Sequence, residues 1–298
     1  MRTYYGLLFV LSACMLGNIF SSCTFNTDDG WIDLLDKDLT QWHIYQSYED
    51  MPGNARIPQD ENGETIPPIG YDKNEKNVFS IVEENGELLL KINGEIYGCI
   101  FTKESFRNYH LTLQYKFGTN KFPPRLDKAM DSGVLYHSQG EAGVDYWKTW
   151  MLAQEFQVME AGTTEGVSGD YWPISRAQVE IRATRENEQS KYTYNPEADW
   201  IGFGTRRTAG SCAALGNFTN PPQEWTTLEL ICYEGKSLHI VNGTVVMALQ
   251  NSSYWNGTES LPLVEGKIQL QCEAAELYYK NIRIKNIEEM PAEYVNLF

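Results

Sequence analysis

Residues 226–250 read TTLELICYEGKSLHIVNGTVVMALQ. Three runs of β-branched, aromatic and other apolar residues are broken at Glu234-Gly235-Lys236 and at Asn242-Gly243. An Asn-Gly pair between two such runs is a strong hairpin signal, because a tight two-residue turn needs positive φ at both central positions. The stretch therefore predicts consecutive antiparallel strands over 226–233, 237–242 and 245–250. Outward from it, period-two or continuous apolar runs recur at 87–92, 109–117, 133–138, 155–159, 178–184, 267–273 and 277–287. No amphipathic helix extends beyond a turn or two. Many short strands with frequent turns predict an all-β chain, a jelly-roll β-sandwich of two antiparallel sheets with long loops. The Pro- and Gly-rich stretches 46–77 and 185–223 are the long loops, a length that a compact domain rarely carries unless the loops line a site or move.

The chain has 298 residues, is 42% hydrophobic and 13% aromatic, and includes 18 Tyr and 8 Trp. That is enough apolar material for one large core. Tyr and Trp combine a flat apolar surface with a polar handle, which suits sugar rings and ordinary sheets alike. The formal charge is −16. Without a basic run to offset it, such a charge repels a polyanion, so nucleic acid is excluded as a partner.

The start, MRTYYGLLFVLSACMLGNIFSSC, reads as a signal peptide over 1–22: Arg2, then an apolar stretch too short for a comfortable membrane span. Small residues before Cys23 resemble a bacterial lipobox, with Cys23 as the lipidated residue and 23–29 as a tether. Leu11-Ser12-Ala13-Cys14 fits the same pattern with a shorter apolar region, and plain secretion is the other alternative. The expectation is a bacterial cell-envelope protein, bound to the membrane only through its lipid anchor. Residues 30–298 are expected to form a single domain. Cys99, Cys212, Cys232 and Cys272 show no metal-binding spacing and read as buried small hydrophobes, with a disulfide as the alternative in an oxidising envelope.

Strand alternation sorts the side chains into faces. In 267–273, Ile268, Leu270 and Cys272 share one face, and Gln269, Gln271 and Glu273 the other. In 154–159, Phe156 and Val158 oppose Glu155 and Gln157. Two distant strands thus carry an amide-and-acid face, the group types that sugar hydroxyls need, since each hydroxyl both donates and accepts. The same pattern also describes the wet side of any sheet. An aromatic and glycine-rich turn following Glu155, with Glu160, Asp170 and Trp172, favours a site. His137 reads equally as a structural histidine or a proton-transfer group. HExxH, GxSxG and P-loop motifs are absent from the sequence. Two-carboxylate chemistry remains open, pairing Glu155 with Glu273, Glu160 or Asp170.

Five segments in order resemble the 3-keto-disaccharide hydrolase domain family. They are GWIDLLDKDLTQWHIY (30–45), DSGVLYHS (131–138), EFQVMEAGTTEGVSGDYW (155–172), PPQEWTTLELICYEGKSLHIVNGTVV (221–246) and EGKIQLQCEAAELYYKNIRIKNI (265–287). Asp131 and Thr226 stand where the family usually has Asn. The resemblance implies a concanavalin A-like jelly roll and an enzyme acting on a mono- or disaccharide-derived substrate already oxidised at C3. A C3 ketone acidifies the C2 proton, so a base can start elimination of the C1 substituent, and hydration completes a net hydrolysis. On that reading Glu155 and His137 are the proton-transfer candidates. Gln157, Glu160, Gln271 and Glu273 contact substrate, and Asp170, Trp172 and Trp147 shape the rim. Arg206 is the candidate to stabilise an enolate; the alternative is a divalent cation held by Glu155, Glu160 and Asp170. A non-catalytic carbohydrate-binding jelly roll and an ordinary two-carboxylate glycosidase are the competing readings.

Overall fold

The computed structural model describes residues 29–49, 57–144 and 148–298. The expected signal segment 1–22, Cys23 and Trp147 lie outside the described residues. The strands form a twelve-stranded and a seven-stranded sheet, and their ladders are antiparallel. The two short 3-10 turns, Glu75–Asn77 and Ala292–Leu297, are the helical elements among the described residues. The predicted all-β jelly-roll sandwich is the observed architecture.

The predicted strand series around 226–250 appears as Thr226–Tyr233, Lys236–Val241 and Thr244–Trp255, neighbours in the twelve-stranded back sheet. Its two turns work as expected: Glu234 and Gly235 have φ of 46° and 77°, and Asn242 and Gly243 have 47° and 77°. Positive φ at both positions matches the right-handed strand twist and closes each hairpin on two residues. Asn85 and Gly86 repeat the device, with φ of 53° and 82°, between Phe79–Glu84 and Glu87–Ile92.

The seven-stranded front sheet has the order Tyr171–Ile174, Leu152–Met159, Asp131–Gln139, Lys267–Cys272, Gly98–Thr102, Trp42–Gln46, Gly70–Tyr71. The strands carrying Glu155 and Gln271 are therefore separated by the single strand Asp131–Gln139. The inner face supplies Val134, Phe156, Val158, Ile268 and Leu270, which meet Leu113, Tyr115, Leu230, Leu277 and Tyr279 of the back sheet in one large core. Each such side chain stabilises the fold by about 1.5–3 kcal/mol on burial.

The outer face of the front sheet is covered as well. Tyr45, Cys99, Phe101, Leu135, Trp150, Met151 and Ala153 build a second buried cluster there. All eight residues of Leu152–Met159 are consequently buried. The four described cysteines are free and buried, as small hydrophobes.

Candidate functional site

Register places the polar side chains in rows. Gly133 is opposite Gln157, Leu135 is opposite Glu155 and also opposite Gln269. Asp131 and Glu273 face each other across an isolated bridge. Because side chains alternate across a strand, Asp131, Gly133, Glu155, Gln157, Gln271 and Glu273 share the outer face. All of these but Gly133 line the floor of a cavity of about 380 Å³. Glu155, Gln157, Gln271 and Glu273 are only 5%, 6%, 1% and 8% exposed, so this face is not a wet sheet surface.

Gly133 lies beneath the floor side chains. A Cβ there would collide with the Glu155 carboxylate and the Gln271 amide oxygen, so both side chains lean across the bare backbone at this position. Gln271 Oε1 is buried without a hydrogen-bond partner in the described structure. An unsatisfied buried acceptor costs roughly 1–3 kcal/mol, and here it belongs to a residue of the cavity lining.

At one end of the floor, Arg125 clamps two acids. Its Nη2 lies 2.6 Å from Asp131 Oδ2, and Nη1 lies 3.3 Å from Glu273 Oε1. Gln157 Nε2 also donates to Asp131 Oδ1. Burial pushes Glu273 well above the ordinary carboxylate range, with the charge of Asp131 adding to the effect against the pull of Arg125. Burial raises Asp131 too, opposed chiefly by Arg125.

The glycine-rich turn forms a wall. Asp170 lines the cavity, but its carboxylate holds that turn together: Oδ1 accepts from Ala214 N at 2.8 Å and Oδ2 from Val167 N at 3.3 Å. Burial raises its pKa. Trp172, 42% exposed, stands on the neighbouring edge strand opposite Glu155 and lines the cavity. Trp150 and Ile174 add apolar surface.

Three expected groups are placed elsewhere. His137 would fall on the site face by alternation, but the register shifts between Tyr136 and Gln139 and His137 adopts φ 53°. The bulge turns the ring against Tyr109 and Tyr136, at centroid distances of 6.2 and 5.1 Å. Burial lowers its pKa to about 3, leaving a poor proton acceptor outside the cavity lining. Arg206 stacks over the Trp255 ring at 4.6 Å and is likewise absent from the lining. Glu160 accepts from Met130 N at 2.9 Å and braces the loop beside the cavity. The stretches 46–77 and 185–223 contribute no described lining residue; the loop walls come from the segments around Arg125, Trp150 and Glu165.

The cation arrangement of Glu155, Glu160 and Asp170 does not form: both Asp170 oxygens and one Glu160 oxygen accept from backbone N–H groups, and Glu160 is outside the cavity lining. Among the described residues, no group of three or more His, Cys, Asp or Glu is arranged to hold a metal ion. Arg125, Asp131 and Gly133 are the site residues that strand patterning did not single out. Asp131 and Gly133 were detectable as the same-face neighbours of Leu135, whereas Arg125 lies in an irregular loop with no periodic signal.

A "putative glycosyl hydrolase" from Parabacteroides distasonis is similar in structure, with 15% identity over 86% of this chain and 99% of that one and a TM-score of 0.46. A protein of unknown function with a galectin-like fold from Bacillus subtilis is 11% identical over 86% of this chain and 94% of its own, with a TM-score of 0.43. No curated protein shows significant similarity to the sequence. The family model described as the 3-keto-alpha-glucoside-1,2-lyase-like domain matches residues 30–285. With that span covering most of the sandwich, the chain belongs to this carbohydrate-active family, the one its five segments resemble.

Proposed function

We propose that the protein cleaves 3-keto-glycosides by removing the C2 proton and eliminating the C1 substituent, with hydration giving net hydrolysis. The observation that carries this reading is the convergence of Glu155, Gln157 and Gln271, from strands more than a hundred residues apart in sequence, on one cavity floor. Glu155 is the base. Gln157 and Gln271 bind ring hydroxyls, and Trp172 provides a face against which a sugar ring can stack. Arg125 supplies positive charge near the developing enolate. A neutral sugar fits a cavity whose described lining holds one cation among several carboxylates.

The test is incubation with a 3-keto-glucoside and with its unoxidised parent. Aglycone release from the keto form alone is the expected result. Binding of both without turnover would make the protein a carbohydrate-binding module, and cleavage of the parent would make it an ordinary glycosidase. The N-terminal pattern supports an envelope lipoprotein anchored at Cys23. A Cys23→Ser variant should move from the membrane fraction to the soluble fraction, and unchanged membrane association would rule out that anchor.

A further inference from the structure

Two carboxylates at the end of the cavity share one cation. Asp131 and Glu273 are 7% and 8% exposed and sit side by side across their bridge, with Arg125 in contact with both. Three further acids, Glu155, Glu165 and Asp170, line the same cavity, and the Tyr279 hydroxyl of the back sheet hydrogen-bonds the neighbouring Ser132 Oγ at 3.0 Å. Arg125 is the one cation among the described lining residues. Two full negative charges against a single guanidinium are costly where water is scarce, so such a pair retains a proton.

The geometry also says where that proton sits. Arg125 is closer to Asp131 than to Glu273, at 2.6 against 3.3 Å, and Gln157 donates a second hydrogen bond to Asp131. Negative charge is therefore better stabilised on Asp131, and Glu273 holds the proton. Glu155 occupies a different row of the floor, opposite Leu135. One cavity thus contains a base and, separately, an acid, set apart by their environments.

We propose that Asp131 and Glu273, clamped by Arg125, act as a single shared-proton acid that protonates the departing glycosidic oxygen. This rests on the elimination reading above. In the step, the C2–H electron pair passes into the enolate as Glu155 takes the proton. When the enolate collapses, the C3 carbonyl reforms, C1 and C2 become doubly bonded and the C1–O bond breaks. The leaving oxygen takes the Glu273 proton and departs as an alcohol. Glu155 has gained one proton and the pair has lost one, so exchange with solvent resets both without any co-reactant.

Three measurements test the assignment. Asp131→Asn removes the charge that holds the proton on Glu273 while Arg125 still attracts the carboxylate. The alkaline limb of kcat/KM should then move to lower pH by about one unit or more; an unmoved limb overturns the shared proton. Glu273→Gln should lower turnover of a 3-keto-glucoside with an alkyl leaving group about 10²-fold or more. It should leave a nitrophenyl leaving group, which departs without protonation, within about tenfold of wild type. Equal losses on both would indicate a merely structural role and sink the proposal. Infrared spectroscopy reads the proton without substrate: a protonated-carboxyl band at neutral pH should be present in wild type and missing in Glu273→Gln. Absence of that band from wild type overturns the proposal even if turnover is observed. A band in a protein that turns over no 3-keto-glycoside supports the shared proton and removes the elimination reading instead.

Discussion

The front and back sheets both carry an outward strip of amides, hydroxyls and charges, produced by the same period-two alternation. On the back sheet, Asp33, Thr112, Gln114, Thr227, Asn281 and Arg283 line a shallow groove. There the polar groups satisfy one another: Gln114 Nε2 donates to Thr227 Oγ1 at 3.1 Å, and Asn281 Nδ2 donates to Gln114 Oε1 at 3.0 Å. On the front sheet the strip is buried, Asp131 and Glu273 share a single guanidinium, and Gln271 Oε1 has no partner in the described structure. Alternation decides which face is polar. Loops decide whether that face becomes a solvated surface or a cavity floor whose hydrogen-bonding capacity is left for a ligand.

The largest expected difference between the two strips is in chemistry. Glu155→Gln preserves size but replaces one carboxylate oxygen with an amide NH2 and so removes the proton acceptor. Turnover of a 3-keto-glucoside should fall roughly 10²–10⁴-fold, with the circular dichroism spectrum unchanged. Near-wild-type turnover would remove Glu155 from the catalytic role and leave the front strip no more reactive than the back one.

Gly133→Ala tests the shape of the floor without touching an acid or amide. The new Cβ would strike the ends of Glu155 and Gln271. Both are flexible side-chain termini, so the fold should tolerate the change and the melting temperature should barely move. The displaced groups, however, should lose alignment, and an error on the order of 1 Å costs about 10²-fold in rate. If activity survives intact, the floor is not organised around bare backbone at 133.

Sequence patterning was most informative where a period or a turn rule applied. Both glycine turns in 226–250 follow from hairpin chemistry, and alternation put Glu155 with Gln157 and Gln271 with Glu273 on polar faces. That these faces meet is set by the strand order, and Gln269 of the same face bonds Ser138 and Met151 instead of lining the cavity. Patterning failed where the period breaks. The bulge after Tyr136 carries His137 from the site face into the core. Arg125 meets Glu273 across 148 residues of sequence from a loop without pattern. The two long Pro- and Gly-rich stretches drew attention by composition, yet they carry the short strands Gly70–Tyr71, Thr193–Tyr194 and Trp200–Gly204, and the described walls of the cavity come from shorter segments leading into the front-sheet strands. Coverage of a sheet face is a tertiary property, set by loops whose paths no local rule specifies.

The smallest expected effects test the comparison most directly, because they set one glutamine of each strip against the other. Gln271→Leu removes a buried acceptor that lacks a partner, and replacing an unsatisfied polar group with an apolar one of similar shape is neutral or stabilising. Urea denaturation should show stability unchanged or higher by about 1 kcal/mol, while affinity for a keto-sugar drops about tenfold, the loss of one net hydrogen bond. Gln114→Ala on the back sheet breaks hydrogen bonds made beside solvent, where water replaces them. Its stability should change by no more than about 0.5 kcal/mol, and keto-sugar affinity should not change at all. Opposite responses from two residues of the same type on equivalent strand faces would locate the stored hydrogen-bonding capacity in the front sheet. If Gln271→Leu instead costs stability and spares binding, its amide is a structural element like Gln114, and the convergence on the front cavity loses one of its ligand-binding members.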